Sequence, residues 1–234
     1  MVMNADYLSK RLLTVARYVP QNSRLLDVGS DHAYLPVYLA HQGIIKFGVA
    51  SEVAEGPYQN MVHEIKAADL ISILHPRLAN GLLALRDQDR VNVITIAGMG
   101  GQLITEILEN GLKDLKRGPR LILQPNVDTY EVRKWLMDHH YQITHEQIIS
   151  DHHHIYEIVV ADHIRLTVKY SLKQLFFGPL LLKRRSPVFV SKWQGEANHL
   201  KMVVRQMQKA KHHRPVKRIQ QLLKRIKLIK QVIS

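Results

Sequence analysis

The chain has 234 residues, of which 46% are hydrophobic and 23% are charged, and it contains no cysteine. These values are typical of one globular domain with an appendage, and they exclude a disulfide framework, a thiolate metal site and a cysteine nucleophile. No apolar run approaches the roughly 20 residues that span a bilayer, and the charged, amphipathic start lacks the pattern of a secretory signal. We therefore expect a cytoplasmic protein that does not associate with membranes.

The net charge of +13 is unevenly distributed along the chain. Residues 183–234 contain fifteen Lys and Arg but a single acid, Glu196, so this tail carries +14 and residues 1–182 carry −1. A near-neutral body with a strongly basic appendage is typical of a catalytic domain joined to an element that binds nucleic acid. The alternative is a pair of solvated, charged helices.

In chain order, hydrophobic periodicity predicts helices alternating with short strands. The predicted elements are a helix at 6–18, a strand at 24–28, a helix at 33–42, a strand at 44–50, a helix at 57–68, strands at 71–74 and 91–97, a helix at 101–110, a strand at 120–124 and a helix at 129–139. Such alternation predicts an α/β fold with a doubly wound, mostly parallel sheet. Two further strands, 141–150 and 154–161, flank a DHHH turn and predict an antiparallel hairpin.

The pattern changes after about residue 165, where an apolar connector is interrupted by glycine and proline. Beyond it, apolar residues recur at helical spacing in two segments that flank the sequence KHHRP, in which Pro215 ends one helix and begins the next. The predicted packing positions are Trp193, Ala197, Leu200, Val204 and Met207, followed by Val216, Ile219, Leu223 and Ile226. We predict a domain at 1–165, followed at 166–234 by the connector and a basic, antiparallel helical hairpin.

The sequence LLDVGSDHAYLP, residues 25–36, follows the first predicted strand, where open α/β sheets bind their ligands. Gly29 permits a tight turn, whereas the nicotinamide fingerprint requires a second glycine where this chain has Asp31, whose charge repels a pyrophosphate. S-adenosylmethionine carries cationic sulfonium and amino groups, with which acids in this loop are compatible. The alternative is a capped helix start, with Ser30 or Asp31 as the cap.

An acid, Glu52, follows the second predicted strand, 25 residues after Asp27. A carboxylate at this strand end can accept hydrogen bonds from both hydroxyls of a ribose, and the spacing suits one strand–helix–strand step. The alternative is an ordinary surface glutamate. Glu52 and the loop together therefore favour a nucleoside ligand without a pyrophosphate.

Several segments together resemble the bacterial tRNA adenine-22 N1-methyltransferase family. They are LSKRL (8–12), DVGSDHAYLP (27–36), SEV and EGP (within 51–57), TIAGMGG (95–101), LILQPN (121–126) and FGPLL (177–181). The resemblance covers nearly the whole chain and is most specific in TIAGMGG and LILQPN. It implies a Rossmann-like class I methyltransferase domain, a C-terminal coiled-coil hairpin that binds tRNA, and methyl transfer from S-adenosylmethionine to N1 of adenine 22.

The resemblance also implies a set of cofactor-binding residues. They are Lys10 and Arg11 beside the methionine carboxylate; Asp27, Gly29, Ser30, Asp31 and His32 in the donor loop; Glu52 at the ribose; Asn80 and Gly81 at the cofactor adenine; and Ala97, Gly98 and Met99 beside the sulfonium. One position departs from the family, which usually has aspartate where this chain has Asn80. The amide oxygen of Asn80 can still accept a hydrogen bond from the exocyclic amine.

The implied chemistry is an in-line displacement by the lone pair of adenine N1, which needs alignment more than acid or base. The target base must be unpaired and turned into a pocket. An acid near the base would stabilise the cationic product ring, and Asp31 is the candidate, with His32 or Tyr34 lining the pocket. The alternatives are helix capping for Asp31 and core packing for Tyr34.

Two other features leave roles open. Many adenine methyltransferases have an Asn-Pro-Pro-Tyr-like motif after the fourth strand, where this chain has GMGG; Gln124 and Asn126 are possible substitutes without an assigned role. The run His152 to His154 has no zinc-type spacing with other ligands, so we predict a solvated turn and no metal site. His212 and His213 lie in the predicted hairpin turn, where phosphate or water is the expected contact.

Two other classes of function remain as hypotheses. One is an RNA-binding protein that retains the methyltransferase fold without catalysis, with Asn80 as a sign of decay. The other is a methyltransferase that acts on a protein or a small metabolite, against which the +14 tail argues. The sequence does not predict the oligomeric state.

Overall fold

The computed structural model describes residues 7–209 and 215–234, which form alternating strands and helices. The elements are α1 (Lys10–Ala16), β1 (Ser23–Val28), α2 (Tyr34–His41), β2 (Ile45–Glu52), α3 (Glu55–Ala67), β3 (Leu74–Leu78), β4 (Val93–Gly100), α4 (Gly101–Asn110), β5 (Arg120–Val127), α5 (Thr129–Asp138), β6 (Tyr141–Asp151), β7 (His154–His163), α6 (Leu172–Phe177), α7 (Leu181–Arg184), α8 (Pro187–Lys209) and α9 (Val216–Ile233). None of the helices described is both long and apolar enough to cross a membrane.

The seven strands form one sheet in the order β3-β2-β1-β4-β5-β7-β6. Strands β1 to β5 pair in parallel, and β7 runs antiparallel to both β5 and β6. The direction of winding reverses between β1 and β4, so the carboxyl ends of these two strands flank a topological switch point. This topology confirms the predicted Rossmann-like fold with its terminal antiparallel hairpin.

Strand β3 begins at Leu74, three residues later than the first residue of the predicted strand at 71–74. Residues 71–73 instead form the turn that follows α3, and Leu74 pairs with Gly48 of β2. The strand contains Pro76, which cannot donate a ladder hydrogen bond. Because β3 lies at the edge of the sheet, the missing donor is tolerated there.

A buried ion cluster joins α5 to the terminal strands. Arg133 Nε donates to Glu146 Oε1 at 2.7 Å, and Arg133 Nη2 donates to Glu157 Oε2 at 2.6 Å. All three side chains are at most 1% exposed. Gly178 packs against this cluster with a φ of +88°, and a Cβ there would lie 2.6 Å from Glu146 Oε1, which accounts for a glycine in the FGPLL motif.

The chain divides after Pro179 into two compact units, and the second contains α7, α8 and α9. Helices α8 and α9 contact each other and form a helical hairpin, as predicted. The buried positions on α9 are Ile219, Leu222, Ile226, Ile229 and Val232. The prediction of Val216 and Leu223 at this seam is wrong, since they are 59% and 47% exposed. His212 and His213 lie outside the described residues.

Candidate functional site

A cavity of about 340 Å³ lies at the carboxyl ends of β1, β2 and β4. Its lining includes most of the residues that the sequence singled out, namely Arg11, Asp27, Gly29, Ser30, Asp31, His32, Tyr34, Glu52, Ala97, Gly98 and Met99. Leu12, Val28 and Leu35 complete the lining. The parallel register explains this convergence, because strand ends that are remote in sequence meet at one edge of the sheet.

Asp27, the penultimate residue of β1, is 5% exposed. Its two carboxylate oxygens accept hydrogen bonds from Ser30 Oγ and Thr95 Oγ1, both at 2.6 Å. Burial raises the pKa of Asp27 to about 6, despite the opposing effect of these two hydrogen bonds. The carboxyl group therefore titrates close to neutral pH, at the floor of a cavity suited to a cation.

The loop after β1 is tied to the end of β2 through its backbone. Gly29 and Ser30 donate their N–H groups to the carbonyl oxygen of Ser51 at 2.9 and 3.0 Å. Gly29 has a φ of +66°, and any Cβ there would collide with the terminal methyl of Met99. The positive φ thus favours glycine at this turn, and the flexible end of the Met99 side chain packs against it.

Glu52, the last residue of β2, bridges to the same loop. Its Oε1 accepts from the backbone N–H of Asp31 at 2.7 Å, and its Oε2 accepts from the N–H of Val53 at 3.2 Å. Each carboxylate oxygen has a further lone pair, so Glu52 retains the capacity to accept hydrogen bonds from two vicinal hydroxyls.

Asp31, His32 and Tyr34 form one wall of the cavity. Asp31 has a φ of +51° and its side chain is 69% exposed. The rings of His32 and Tyr34 stack at 5.1 Å with an interplanar angle of 12°. The N-cap residue of α2 is Ala33, and no side chain accepts a capping hydrogen bond there. The capping alternative for Ser30 and Asp31 is therefore wrong.

Arg11 reaches the cavity from α1. Its Nη1 donates to Gln124 Oε1 at 2.5 Å, and its backbone N–H donates to Asp151 Oδ2 at 3.0 Å. Burial lowers the pKa of Arg11, and nearby acidic groups, including Asp27, counteract this effect. The guanidinium remains charged, because an arginine pKa stays far above neutral pH.

Three of the expected cofactor residues do not line this cavity. Lys10 donates from Nζ to the carbonyl of Ser150 at 2.8 Å and lines a neighbouring groove with Arg17. Asn80 and Gly81 line a separate cavity of about 140 Å³, whose wall includes Ile107. The structure thus brings together the donor loop, Glu52, Arg11 and residues 97–99 of β4, whereas Lys10, Asn80 and Gly81 line two other cavities.

Thr95 was not among the site residues expected from the sequence, and Gln124 and Asn126 had no assigned role. Gln124 Oε1 accepts from the N–H of Gly98 at 3.0 Å, and Asn126 Nδ2 donates to the carbonyl of Gly98 at 2.7 Å. Thr95 and Gln124 are each 0% exposed within otherwise apolar strands. The signal that could have identified Thr95 and Gln124 is a polar residue within an apolar strand, because a buried polar side chain needs a hydrogen-bond partner.

The histidine run lies at the turn between β6 and β7, and this turn is solvated, as predicted. The His152 side chain is 88% exposed and lies 3.0 Å from Asp151 Oδ1. Over residues 7–209 and 215–234, the structure contains no group of three or more His, Asp or Glu arranged to hold a metal ion.

The donor set of the cavity suits a nucleoside that carries a cationic amino-acid chain. Asp27 and Asp31 provide negative charge for a cation, Glu52 provides acceptors for a diol, and Arg11 can pair with a carboxylate. Asp27 near the end of β1 and Asp31 in the turn after it disfavour a pyrophosphate. These features match the chemistry of S-adenosylmethionine.

Comparison with known proteins agrees with this chemistry. The model of the family described as TrmK, tRNA (adenine(22)-N(1))-methyltransferase, matches residues 25–231. The tRNA (adenine(22)-N(1))-methyltransferase of Bacillus subtilis strain 168 is 36% identical over an alignment of 237 positions, which covers 99% of each chain.

Solved structures extend the similarity to the whole fold. The crystal structure of Streptococcus pneumoniae Sp1610 in complex with S-adenosyl-L-methionine is 46% identical, with a TM-score of 0.89 over 97% of this chain and 100% of that chain. The B. subtilis M1A22 tRNA methyltransferase TrmK is 34% identical, with a TM-score of 0.89 over 98% of this chain and 100% of that chain. The chain described here belongs to the tRNA (adenine(22)-N(1))-methyltransferase family.

Proposed function

We propose that this protein transfers a methyl group from S-adenosylmethionine to N1 of adenine 22 in tRNA. The observation that carries the proposal is the acid-lined cavity at the switch point, in a chain that matches the family over nearly its full length. Asp27, Glu52 and Arg11 all line that cavity, so the site retains the groups that a donor of this chemistry requires. This favours the catalytic function over a non-catalytic RNA-binding relic.

In this proposal, S-adenosylmethionine supplies a methyl group already activated by its positive sulfur. Arg11 binds the carboxylate of the donor, Glu52 accepts from its ribose hydroxyls, and Asp27 provides negative charge near its cationic groups. Gly98 and Met99 of β4 also line the cavity. Alignment of the two reactants is then the main source of rate acceleration.

For the target base, we assign the wall made by Asp31, His32 and Tyr34. The exposed carboxylate of Asp31 stabilises the positive charge that develops on the adenine ring as N1 is methylated. The stacked rings of His32 and Tyr34 provide an aromatic surface at the cavity for an unpaired base.

We assign tRNA binding to the basic helical hairpin, within the predicted 166–234 domain, and donor binding to the 1–165 domain. Helix α9 exposes Lys217, Arg218, Lys224, Lys227 and Lys230. Lys and Arg contacts to phosphates position RNA without reading its sequence, so selection of tRNA depends on its shape. A tRNA substrate also accords with the expected cytoplasmic location.

The proposal is tested by incubating the protein with labelled donor and a tRNA transcript, and then mapping the modified nucleotide. We expect label at adenine 22 and none in a transcript with guanine there. The absence of label in RNA would overturn the proposed function.

The role of Asp31 is tested by Asp31→Asn, because asparagine tolerates the positive φ while removing the charge. We expect kcat to fall at least about tenfold. Asp69→Asn is the matched control, since Asp69 is also exposed with a φ of +55° and lies outside the cavity lining. Full activity of Asp31→Asn would remove Asp31 from the mechanism.

A further inference from the structure

Gln124 and Asn126, near the end of β5, form a closed hydrogen-bond network around Gly98. Gln124 Oε1 accepts from Gly98 N–H at 3.0 Å and from Arg11 Nη1 at 2.5 Å. Gln124 Nε2 donates to Asn126 Oδ1 at 3.1 Å, and Asn126 Nδ2 donates to the Gly98 carbonyl at 2.7 Å. Both backbone polar groups of a cavity residue are therefore held by two side-chain amides.

The network determines the orientation of both amides. The guanidinium of Arg11 and the N–H of Gly98 can only donate, so the atom they share on Gln124 is its oxygen. The carbonyl of Gly98 can only accept, so the Asn126 atom beside it is the nitrogen. An unrestrained asparagine can rotate to exchange its donor and acceptor, whereas Asn126 is held in one orientation.

Asn126 keeps hydrogen-bonding capacity beyond the network. An amide oxygen has two lone pairs and an amide nitrogen has two hydrogens, and the network uses one of each. Asn126 is exposed, in contrast to the fully buried Gln124. The adjacent Val127 is 60% exposed and pairs in register with Gly100, which adds an apolar surface beside the amide.

We infer that Asn126 binds the target adenine by accepting a hydrogen bond from its exocyclic amine, and that Gln124 is the positioning residue that holds Asn126 for this contact. The inference rests on the proposed function. Adenine differs from guanine in carrying an amine donor at position 6, and a fixed acceptor distinguishes the two. The contact leaves the lone pair of N1 free to react. Because Gln124 Oε1 is shared with Arg11, the same residue supports the donor and base sites.

The test compares two full-length tRNAs that differ only at position 22, where one carries adenine and the other carries purine, which lacks the exocyclic amine. Purine changes the intrinsic reactivity of N1 equally for every enzyme variant. The ratio of kcat/KM for the two tRNAs therefore isolates contacts to the amine when variants are compared. We expect this ratio to be about fivefold smaller for Asn126→Ala than for the unmodified protein, as for the loss of one neutral hydrogen bond.

Two variants of Gln124 test positioning separately from donor binding. Gln124→Glu keeps acceptors for Arg11 and Gly98 but loses the donor to Asn126, so we expect donor affinity to persist and the adenine-to-purine ratio to fall as in Asn126→Ala. Gln124→Leu removes the acceptors as well, and we expect at least about a tenfold loss of donor affinity in calorimetry, because Arg11 and the Gly98 N–H lose the acceptor that they share and Arg11 is no longer held at the cavity. Asn60→Ala, an exposed position on α3, is the control.

An unchanged adenine-to-purine ratio in Asn126→Ala would overturn the inference while leaving the proposed function intact. A ratio that is unchanged in Gln124→Glu would overturn the positioning role of Gln124. If the unmodified protein failed to methylate adenine 22, the proposed function and this inference would fall together.

Discussion

Arg133 and Arg225 each pair with glutamate, but they do so in opposite surroundings. Arg133 lies in the first unit with Glu146 and Glu157, and all three side chains are at most 1% exposed. Arg225 lies in the helical hairpin, 2.9 Å from Glu196, and these side chains are 39% and 31% exposed. The first unit uses its buried charges to hold elements together, whereas the hairpin keeps its cations near solvent, where a polyanion can reach them.

The largest effect that we expect is on stability, from Arg133→Met. The substitution leaves two buried carboxylates without their counter-ion, so the free energy of unfolding should fall by about 3–5 kcal/mol in urea denaturation. Lys134→Met is the control, because Lys134 is the exposed neighbour on the same helix and should change stability by less than about 0.5 kcal/mol. Equal effects of the two substitutions would show that the cluster has no special structural role.

The hairpin is tested by replacing Lys217, Arg218, Lys224 and Lys227 with glutamine. If these exposed cations contact phosphates, tRNA affinity should fall about a hundredfold, and the slope of log affinity against log salt should become shallower by about 3. Donor affinity should not change. The control replaces four exposed lysines of the first unit with glutamine, so that the net charge changes by the same amount. These lysines are Lys46, Lys66, Lys134 and Lys173. A similar loss in that variant would mean that net charge, and not the hairpin, determines tRNA binding.

A smaller effect is expected from the pH dependence of donor binding. Burial raises the pKa of Asp27 to about 6, so the carboxyl group is mostly ionised at pH 7 and mostly protonated at pH 5. A cationic donor prefers the ionised form, and its affinity in calorimetry should therefore fall about tenfold as the pH decreases from 7 to 5.

The control substitutions for this pH dependence are conservative. Asp27→Asn should bind the donor weakly and without this pH dependence. Asp138→Asn, at an exposed position on α5, should retain it. A donor affinity that does not change between pH 5 and 7 in the unmodified protein would show that Asp27 does not contact the cationic groups.

The smallest effect should follow from Glu196→Gln. A partly exposed ion pair contributes at most about 1 kcal/mol, so the free energy of unfolding should change by less than that amount. A loss as large as that of Arg133→Met would contradict the comparison between the two units.

The architecture was predictable because hydrophobic periodicity is a local property. Strands β1, β2, β4 and β5, the terminal antiparallel hairpin and the helical hairpin all appear as predicted. The errors occur where the rotation of a helix about its axis, or the position of an element in the tertiary structure, decides which residues are buried or tolerated. Leu222 and Leu223 are equally apolar, and only the rotation of α9 against α8 buries the first and exposes the second. Likewise, Pro76 is compatible with a strand only because β3 lies at the sheet edge.

The cavity was predictable in part, for a related reason. The residues of the loop after β1 are consecutive, and a rule about strand ends locates them. Thr95 contacts Asp27 from 68 positions away, through adjacent strands whose pairing the sequence does not show. Charged residues usually lie on the surface, so the sequence does not indicate that Arg133, Glu146 and Glu157 are buried. Only the packing of α5 against β6 and β7 reveals them as a buried cluster.

The contact between Gly29 and Met99 has an evolutionary consequence. The methyl group of Met99 occupies the space that a side chain at position 29 would need, so the two positions share one small volume. A side chain at position 29 would displace only the flexible end of Met99, so the positive φ at residue 29 is the stronger restriction on this position. Relatives that lack this glycine should therefore carry asparagine or aspartate, the side chains that best tolerate a positive φ, whether or not residue 99 is methionine.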